Sequence, residues 1–540
     1  MIVEGLIMRP TNLAFLKIAK RAERQDDEVL KKTFVDFGSV SIALSSIDHQ
    51  VVFGRRGTGK THLFSVLRQL KSSAGELAIQ LDMRNLGSAG GIYADPTVPT
   101  SQRATRLLID LLSALHSRIL EHAIEHDNLV NLGLAGTALD EFFDAHSSVK
   151  VIGTTTLETT TAAENYFAAE TKLGIAGPAL TPSLAAGFAL NESGKEQVSA
   201  KKTVTGTESY RINFGSVGSA LRKVVQTLPN QRLWLLIDEW SEVPLDLQPL
   251  LADLLRRAIL PIGGVTVKIA AIEQRCRLLI PDPSVAHIGI QLGADVSAAL
   301  NLDDFMVFDN DERKAVDFFK ALVFKHVQAA LETDPSANIR SESSLISQGF
   351  TQSNAFDEAV RACEGVPRDM IHILSLAAQR AGVETISVGD VRTAAQQWYQ
   401  ASKDAAVSAH DQAKNLLTWI VDRVIKERQT KAFLLESGVR DGLIDFLYDE
   451  RVLHVLRKGT SAQDMPGKRF HVYGIDYGCY VDLINTARAP KGMLDLGISE
   501  SDISVIVPKT DFRSIRRCIL DLSDFYTQQT STAPQASLDL

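Results

Sequence analysis

Cysteine is scarce in this chain: four among 540 residues, Cys276, Cys363, Cys479 and Cys518. None stands at metal-ligand spacing and they form no dense, even framework of disulfides, which fits a reduced, cytoplasmic setting. Long apolar runs are also missing. A spanning helix needs about 18 consecutive apolar residues, and the nearest approach, 173–190 (LGIAGPALTPSLAAGFAL), is broken by Pro178 and Pro182. It reads as a Gly/Pro-punctuated excursion packed on the protein, with membrane insertion the lesser alternative, so no membrane association is expected. The N-terminus carries Glu4 where an export signal would want a basic region. Positive charge is not in excess either. The net charge of −8 argues against coating nucleic acid through overall charge, while leaving room for a local basic surface. The twelve histidines form no H-E-x-x-H pattern, and no G-x-S-x-G elbow occurs.

What is present is an ordinary globular composition, 45% apolar and 23% charged, in a chain long enough for about two to four domains. Residues 11–33 pattern as one amphipathic helix, with Leu13, Phe15, Leu16, Ile18 and Ala19 among lysines and arginines, able to pack on the core that follows. A short strand, HQVVFG, runs into a glycine-rich turn and the helix THLFSVLRQLKSS. A second strand is expected at 76–84 and a long helix over 101–126. Residues 127–210, rich in Thr, Ala, Gly and Ser, read as an insertion, partly mobile, that interrupts the core. Further strands follow at RLWLLIDE, at VTVKIAAIE and near ALNLDDFMVF, with helices between them. This alternation predicts an α/β fold, a parallel sheet covered by helices on both faces.

From 311 the pattern is helical, a small domain reaching 402. Residues 403–411 (KDAAVSAHD) read as a linker. Two helices and a basic-tipped hairpin over 410–490 suggest a winged helix, and 491–540 a tail that is disordered in part, ending in TQQTSTAPQASLDL. The expected division is therefore an N-terminal segment 1–45, a base 46–310, a helical domain 311–402, a winged helix 410–490 and a tail 491–540.

The strongest motif is GRRGTGKT, residues 54–61, between strand and helix. Glycines let backbone N–H groups turn inward around phosphate oxygens, and the following helix points its positive end at the same anion. Lys60 would serve the β and γ phosphates, and the Thr61 hydroxyl would ligate Mg²⁺. The stretch Gly54, Arg55, Arg56, Gly57, Thr58, Gly59, Lys60, Thr61 and His62 is accordingly the expected cofactor-binding set. The second motif is LWLLIDE, 233–239: an apolar strand placing two acids at the carboxyl edge of a sheet, where ligands bind. Asp238 would orient Mg²⁺ with its waters, and Glu239 would polarise an attacking water as general base. After strand VTVKIAAI comes EQR, with Gln274 the natural hydrogen-bonding group and Glu273 the first polar residue. In GVPRD, 365–369, Pro367 suits the first helical turn, while an arginine there opposes the helix dipole, so Arg368 has a claim on an outside anion. Arg457, Lys458, Lys468 and Arg469 at the hairpin would grip DNA phosphates, although 410–520 is near neutral; a protein-binding winged helix is the competing reading.

In this order the pieces GRRGTGKT, LLIDEW, the polar residue after IAAI, GVPRD and the terminal hairpin resemble the AAA+ superfamily, and within it the bacterial origin-recognition/initiator-like ATPases, over about 45–490. The resemblance implies Walker A roles for Lys60 and Thr61, and Walker B roles for Asp238 and Glu239. It implies sensor 1 at Gln274 or Glu273 and sensor 2 at Arg368. It also implies ATP and Mg²⁺ as ligands, hydrolysis that drives an assembly switch, and a homo-oligomer or partner-protein complex that associates with DNA. An arginine from a neighbouring subunit would complete the site, and Arg256, Arg257 and Arg275 are candidates; no initiator-like Ser-Arg pair follows the sensor strand. The long insertion departs from the compact initiator pattern and is similar to elaborated ATPases of signalling and anti-phage defence, in which the winged helix and insertion would bind protein.

Overall fold

The near-continuous apolar runs do form one parallel sheet. In a computed structural model of the chain, β1 (Gln50–Phe53), β2 (Leu77–Asp82), β5 (Leu233–Asp238), β6 (Val265–Ala271) and β9 (Ser297–Asn301) lie in the order β2-β5-β6-β1-β9. Every neighbouring pair is parallel. All residues of β5 and β6 are buried, so both faces are covered, as expected of such strands. The α/β class is thus as the sequence predicts. The structure describes residues 8–86, 95, 97–126, 131–147, 149–161, 198–210, 212–282, 286–303, 312–331, 339–428, 430–462, 465–484 and 518–532. The excursion at 173–190 lies outside them. Among the described residues no helix is long and apolar enough to cross a membrane.

The chain divides into two units. The first comprises Met1–Asn85, Pro229–Pro249 and Gly264–Leu540; the second comprises Leu86–Leu228 and Leu250–Gly263. In the second, helices Thr100–Glu125, Leu132–Ser147 and Phe214–Thr227 accompany an antiparallel hairpin of β3 (Val149–Thr161) with β4 (Val198–Tyr210). Leu111, Leu115, Phe142 and Leu221 are among its buried residues. The Asn213 side chain caps the third helix by accepting from the Ser216 N–H at 3.1 Å. Strand β7 (Leu279–Asp282) pairs with β8 (Ala286–Gly289) in the first unit.

Within the first unit the helix Lys60–Ser73 lays Leu63, Phe64 and Leu67 on the sheet, against Val52, Ala78, Trp234, Leu236 and Ala270. The segment 11–33 is not one helix. It breaks into Pro10–Lys17, a 3₁₀ turn at Ala22–Arg24, and Asp27–Thr33. The reason is visible in ERQDDE: between Ala22 and Val29 nothing apolar is available to bury, so no helical face persists. The first piece docks on the helical domain, where the Asn12 side chain donates to the carbonyls of Gly382 and Glu384. The last piece docks on the helix behind the glycine turn, where Arg68 pairs with Asp27 at 2.7 Å.

The helices Glu312–Leu331, Glu342–Gly349, Ser353–Ala362, Pro367–Ala381 and Val388–Trp398 share one apolar cluster with the C-terminal strands and helices. The segment 403–411 is therefore no linker. A π-turn at Tyr399–Asp404 and a helical turn at Ala405–Ser408 carry the helix onward, with Lys403 and Val407 buried. Beyond it stand helix Asp411–Val421, β10 (Ala432–Glu436), helix Gly442–Asp449, β11 (Leu453–Ser461), β12 (Arg469–Ile475) and helix Tyr477–Ile484. The sheet runs β10-β12-β11, antiparallel throughout, so a third strand joins the expected hairpin. Part of the stretch expected to be disordered is ordered: Leu522–Thr532 is helical, with Leu522 and Phe525 in the shared cluster.

Helix Tyr477–Ile484 approaches Val388–Trp398 closely because Gly478 has no side chain. A Cβ there would sit 2.4 Å from the Ala395 carbonyl oxygen and 2.7 Å from Tyr399 Cβ. Gly478→Ala is expected to lower stability by about 1–3 kcal/mol, the usual range for overpacking, measured as a fall in thermal midpoint; an unchanged midpoint would show that the two helices separate freely.

Candidate active site

Residues 54–61 form the turn between β1 and its helix, and the turn is tied to the sheet by the Gly54 N–H, which donates to the Ala271 carbonyl at 3.2 Å. Gly57 and Gly59 both have positive φ, 87° and 95°. Gly57 also has no room: a Cβ would meet Arg368 Cβ at 2.7 Å and Val366 Cγ1 at 3.2 Å. The Lys60 ammonium is buried and donates to the carbonyls of Gly54 (2.7 Å) and Arg55 (3.0 Å). The Thr58 hydroxyl donates to the same Arg55 carbonyl at 2.9 Å. Burial lowers the Lys60 pKa, while Glu239 and Asp238 pull it back up.

Asp238 ends β5 and is level with Asp82 of β2 in the sheet register. Although β6 lies between β5 and β1, the Thr61 hydroxyl comes near enough to the Asp238 carboxylate to lower its pKa. Gln80 Nε2 donates to the same carboxylate at 3.0 Å, and so does the Glu239 N–H at 2.9 Å. Burial raises the Asp238 pKa against the opposing pull of Thr61 and Lys60. Glu239 itself stands in a left-handed conformation, φ 54°, that turns it out of the strand. Its carboxyl lies above the ordinary value because it is buried, and the neighbouring Asp238 adds to the rise while Lys60 opposes it.

A cavity of ≈360 Å³ opens over these groups, lined by Arg56 through His62, by Glu239 and by Arg368. The structure thus brings Gly57, Thr58, Gly59, Lys60, Thr61, Glu239 and Arg368 together, with Asp238 outside the lining but near Thr61 and Lys60. The Arg368 N–H donates to the Gly57 carbonyl at 3.2 Å, and burial together with nearby Arg451 lowers the guanidinium pKa. His62 lines the same cavity but spends its Nε2–H on the Leu30 carbonyl at 2.6 Å, beside Phe34.

Other expectations are placed elsewhere. Gly54 and Arg55 do not line the cavity. The Arg55 side chain is 1% exposed and turns behind the loop, because Asp303 takes both its N–H (3.0 Å) and its Nε–H (2.9 Å). Gln274 is not in the lining either, and its side-chain oxygen is buried without a hydrogen-bond partner among the described residues. Glu273 accepts from Asn301 at 2.9 Å and from Lys458 at 2.5 Å. Of the candidate fingers, Arg256 and Arg257 both pair with Asp253, and Arg275 pairs with Asp449 at 2.8 Å.

Sequence reasoning missed three contributors to the cavity. Arg84 lines it from the turn after β2, held by Asp82 at 2.6 Å and Glu23 at 3.2 Å. The rule that found Asp238, a polar residue at a strand's carboxyl end, would have found it. Arg21 and the apolar wall of Leu30, Phe34 and Phe37 come from the N-terminal segment, for which no local signal exists.

The crowding at Gly57 gives a direct test. Gly57→Ala should lower the stability of the fold by about 1–3 kcal/mol, the cost of strain at such a position, read as a fall in thermal midpoint; an unaltered midpoint would show that the turn tolerates the methyl group.

No family model matches the chain, and no curated protein matches it. Among solved structures the chain is similar to the Aeropyrum pernix ORC1 protein in complex with DNA, at 13% identity, with 88% of this chain and 96% of that chain covered and a TM-score of 0.30.

Proposed function

We propose that this chain is an AAA+-type ATPase, which binds ATP with Mg²⁺ and hydrolyses it to drive a conformational or assembly switch. In this reading 46–310 is the ATPase base, 311–402 its lid and 410–490 a winged helix. One observation carries the reading: a glycine turn, a buried lysine, the Thr61 hydroxyl and Glu239 line one cavity, with the Asp238 carboxylate at the end of β5 close enough to Thr61 and Lys60 for both to lower its pKa. A hydroxyl and a carboxylate are hard oxygen donors of the kind Mg²⁺ takes while keeping most of its waters. Mg²⁺, when bound there, would neutralise charge on the β and γ phosphate oxygens. Lys60 would swing from its carbonyl partners to those oxygens. Arg368 would reach the same group from the lid. Glu239, with its raised proton affinity, would accept the proton of the attacking water.

Association with DNA through the hairpin belongs to the same reading. A specific observation favours the alternative, a signalling or defence ATPase whose winged helix and insertion take protein partners. Lys458 is paired with Glu273, Lys468 with Glu436, and Arg469 donates to the Gly459 carbonyl, so the hairpin's cations already have partners.

Glu239→Gln is expected to keep Mg–ATP affinity and to lower turnover by about 10²–10⁴-fold, the range for a positioned general base; wild-type turnover in that variant removes Glu239 from the role. Hydrolysis needs the ionised carboxylate, so the rate should fall as pH drops through a value above that of a free glutamate, about 4.3. An acid limb at or below that value would contradict the raised proton affinity. Retardation of DNA across a salt series separates the two readings: a groove-gripping hairpin loses affinity steeply as salt rises, about one logarithmic unit of slope per phosphate contacted, whereas no retardation at low salt leaves the protein-binding alternative.

A further inference from the structure

Arg55 belongs to the phosphate-binding turn by sequence, yet its side chain is the best-connected buried group behind that turn. Besides the two bonds to Asp303, its Nη2 donates to the Glu364 carbonyl at 2.9 Å and its Nη1 donates to His454 Nδ1. Tyr448 Oη donates to Asp303 at 3.2 Å, and the guanidinium lies 5.9 Å from the Tyr448 ring centre. Three regions therefore meet on one side chain: the end of β9, the turn that leads into Arg368, and the C-terminal strands and helices. Since an arginine can only donate, His454 Nδ1 must accept, which leaves the Nε2–H to donate to Asp476 at 3.2 Å. Burial holds the His454 imidazole down to about 3, so the ring is neutral and this tautomer is fixed at neutral pH.

The chain of charges continues. Asp476 pairs with Lys403 at 2.5 Å, Lys403 with Asp369 at 3.0 Å, and Asp369 with Arg451 at 3.6 Å. Arg451 then donates to the Arg56 carbonyl at 3.4 Å, so the circuit returns to the turn it left. Three cations and three carboxylates, counting Asp303, alternate through it, and Asp369 directly follows Arg368.

The Arg55 carbonyl is the acceptor that holds both the Lys60 ammonium and the Thr58 hydroxyl. Any shift of Arg55 is passed to Thr58 and to Lys60, the group that the ATPase reading assigns to the phosphates. A buried guanidinium that loses one acceptor must move or be rehydrated, because leaving the charge unpaired is costly. We propose that Arg55 is a positioning residue through which the C-terminal strands and helices set the phosphate-binding turn, so that ATP affinity depends on His454 and Tyr448, neither of which lines the cavity. The inference rests on the ATPase reading and adds to it a regulatory input: whatever displaces the C-terminal element loosens the grip on nucleotide.

Two substitutions at one position isolate the effect. Asparagine presents an oxygen where His454 Nδ1 stands but loses the bond to Asp476; leucine loses both. A merely structural role would lower the melting temperature of His454→Asn and His454→Leu alike and leave their nucleotide affinities equal. The proposal expects His454→Leu to raise the Mg–ATP dissociation constant about tenfold or more, the scale of one lost charge-assisted hydrogen bond, with His454→Asn within about threefold of wild type. Equal dissociation constants for wild type, His454→Asn and His454→Leu overturn it. Should His454→Leu fail to fold, Tyr448→Phe carries the test, with an expected rise of about threefold from the hydroxyl removed from Asp303 and an unchanged constant counting against the proposal. A wild-type protein that takes up no Mg–ATP overturns the ATPase reading itself, whereas wild-type uptake with unaffected variants overturns only the coupling.

Discussion

The Thr61 hydroxyl and the Asp238 carboxylate come close across an intervening strand, and that approach sets what the sheet must do. One group rides on the helix after β1 and the other ends β5. Their approach requires β6 to lie covered between them, and all seven of its residues are buried, Thr266 and Lys268 included. It also requires the carboxyl ends of β1, β2 and β5 to lie level. The pairing of Asp82 opposite Asp238 shows that they do on one side, and the Gly54 N–H bonded to Ala271 at the end of β6 shows it on the other. Gln80 and the Glu239 N–H donate to this buried carboxylate and offset part of the cost of burying its charge. The site is therefore a property of the sheet edge as a whole, and Arg84 stands on that edge too.

What the sequence revealed and what it hid divide along sequence distance. Gly54–Thr61 and Asp238 are local facts: strand, turn and helix contiguous in the chain, or an acid at the end of an apolar run. Arg55 could not be read that way. Its partners lie 248, 309 and 399 residues further on, and nothing in GRRGTGKT says which of two neighbouring arginines turns inward. The same limit hid the N-terminal wall of the cavity. Other misreadings were local. AFLLE is only five residues long, too short for its period to register as β10. KDAAVSAHD looked like a linker because Lys403 and Asp404 are charged, yet Lys403 is neutralised by two buried carboxylates that no periodicity could announce.

The helical domain and the C-terminal element behave as one body in packing terms. Their apolar side chains form a single cluster from Ala14 and Phe15 through Met370 and Leu374 to Phe433, Leu447 and Tyr477. Polar bonds follow the same course: Tyr477 Oη donates to Glu358 at 2.5 Å, and Glu358 is also paired with Arg361 and Arg392. Lys458 on Glu273 and Arg275 on Asp449 are the surface counterparts of the buried joints. The first is exposed on both sides and weak by comparison, while Asp449 of the second is buried.

The separation between Arg55 and His454 in the chain has a consequence for biosynthesis. The glycine turn leaves the ribosome early, but the imidazole that completes its support emerges 399 residues later. Until then the guanidinium has Asp303 and the Glu364 carbonyl but lacks its third acceptor, because contacts this remote form late. A nascent chain would consequently carry a glycine turn one bond short of its full support until the last strands close behind it.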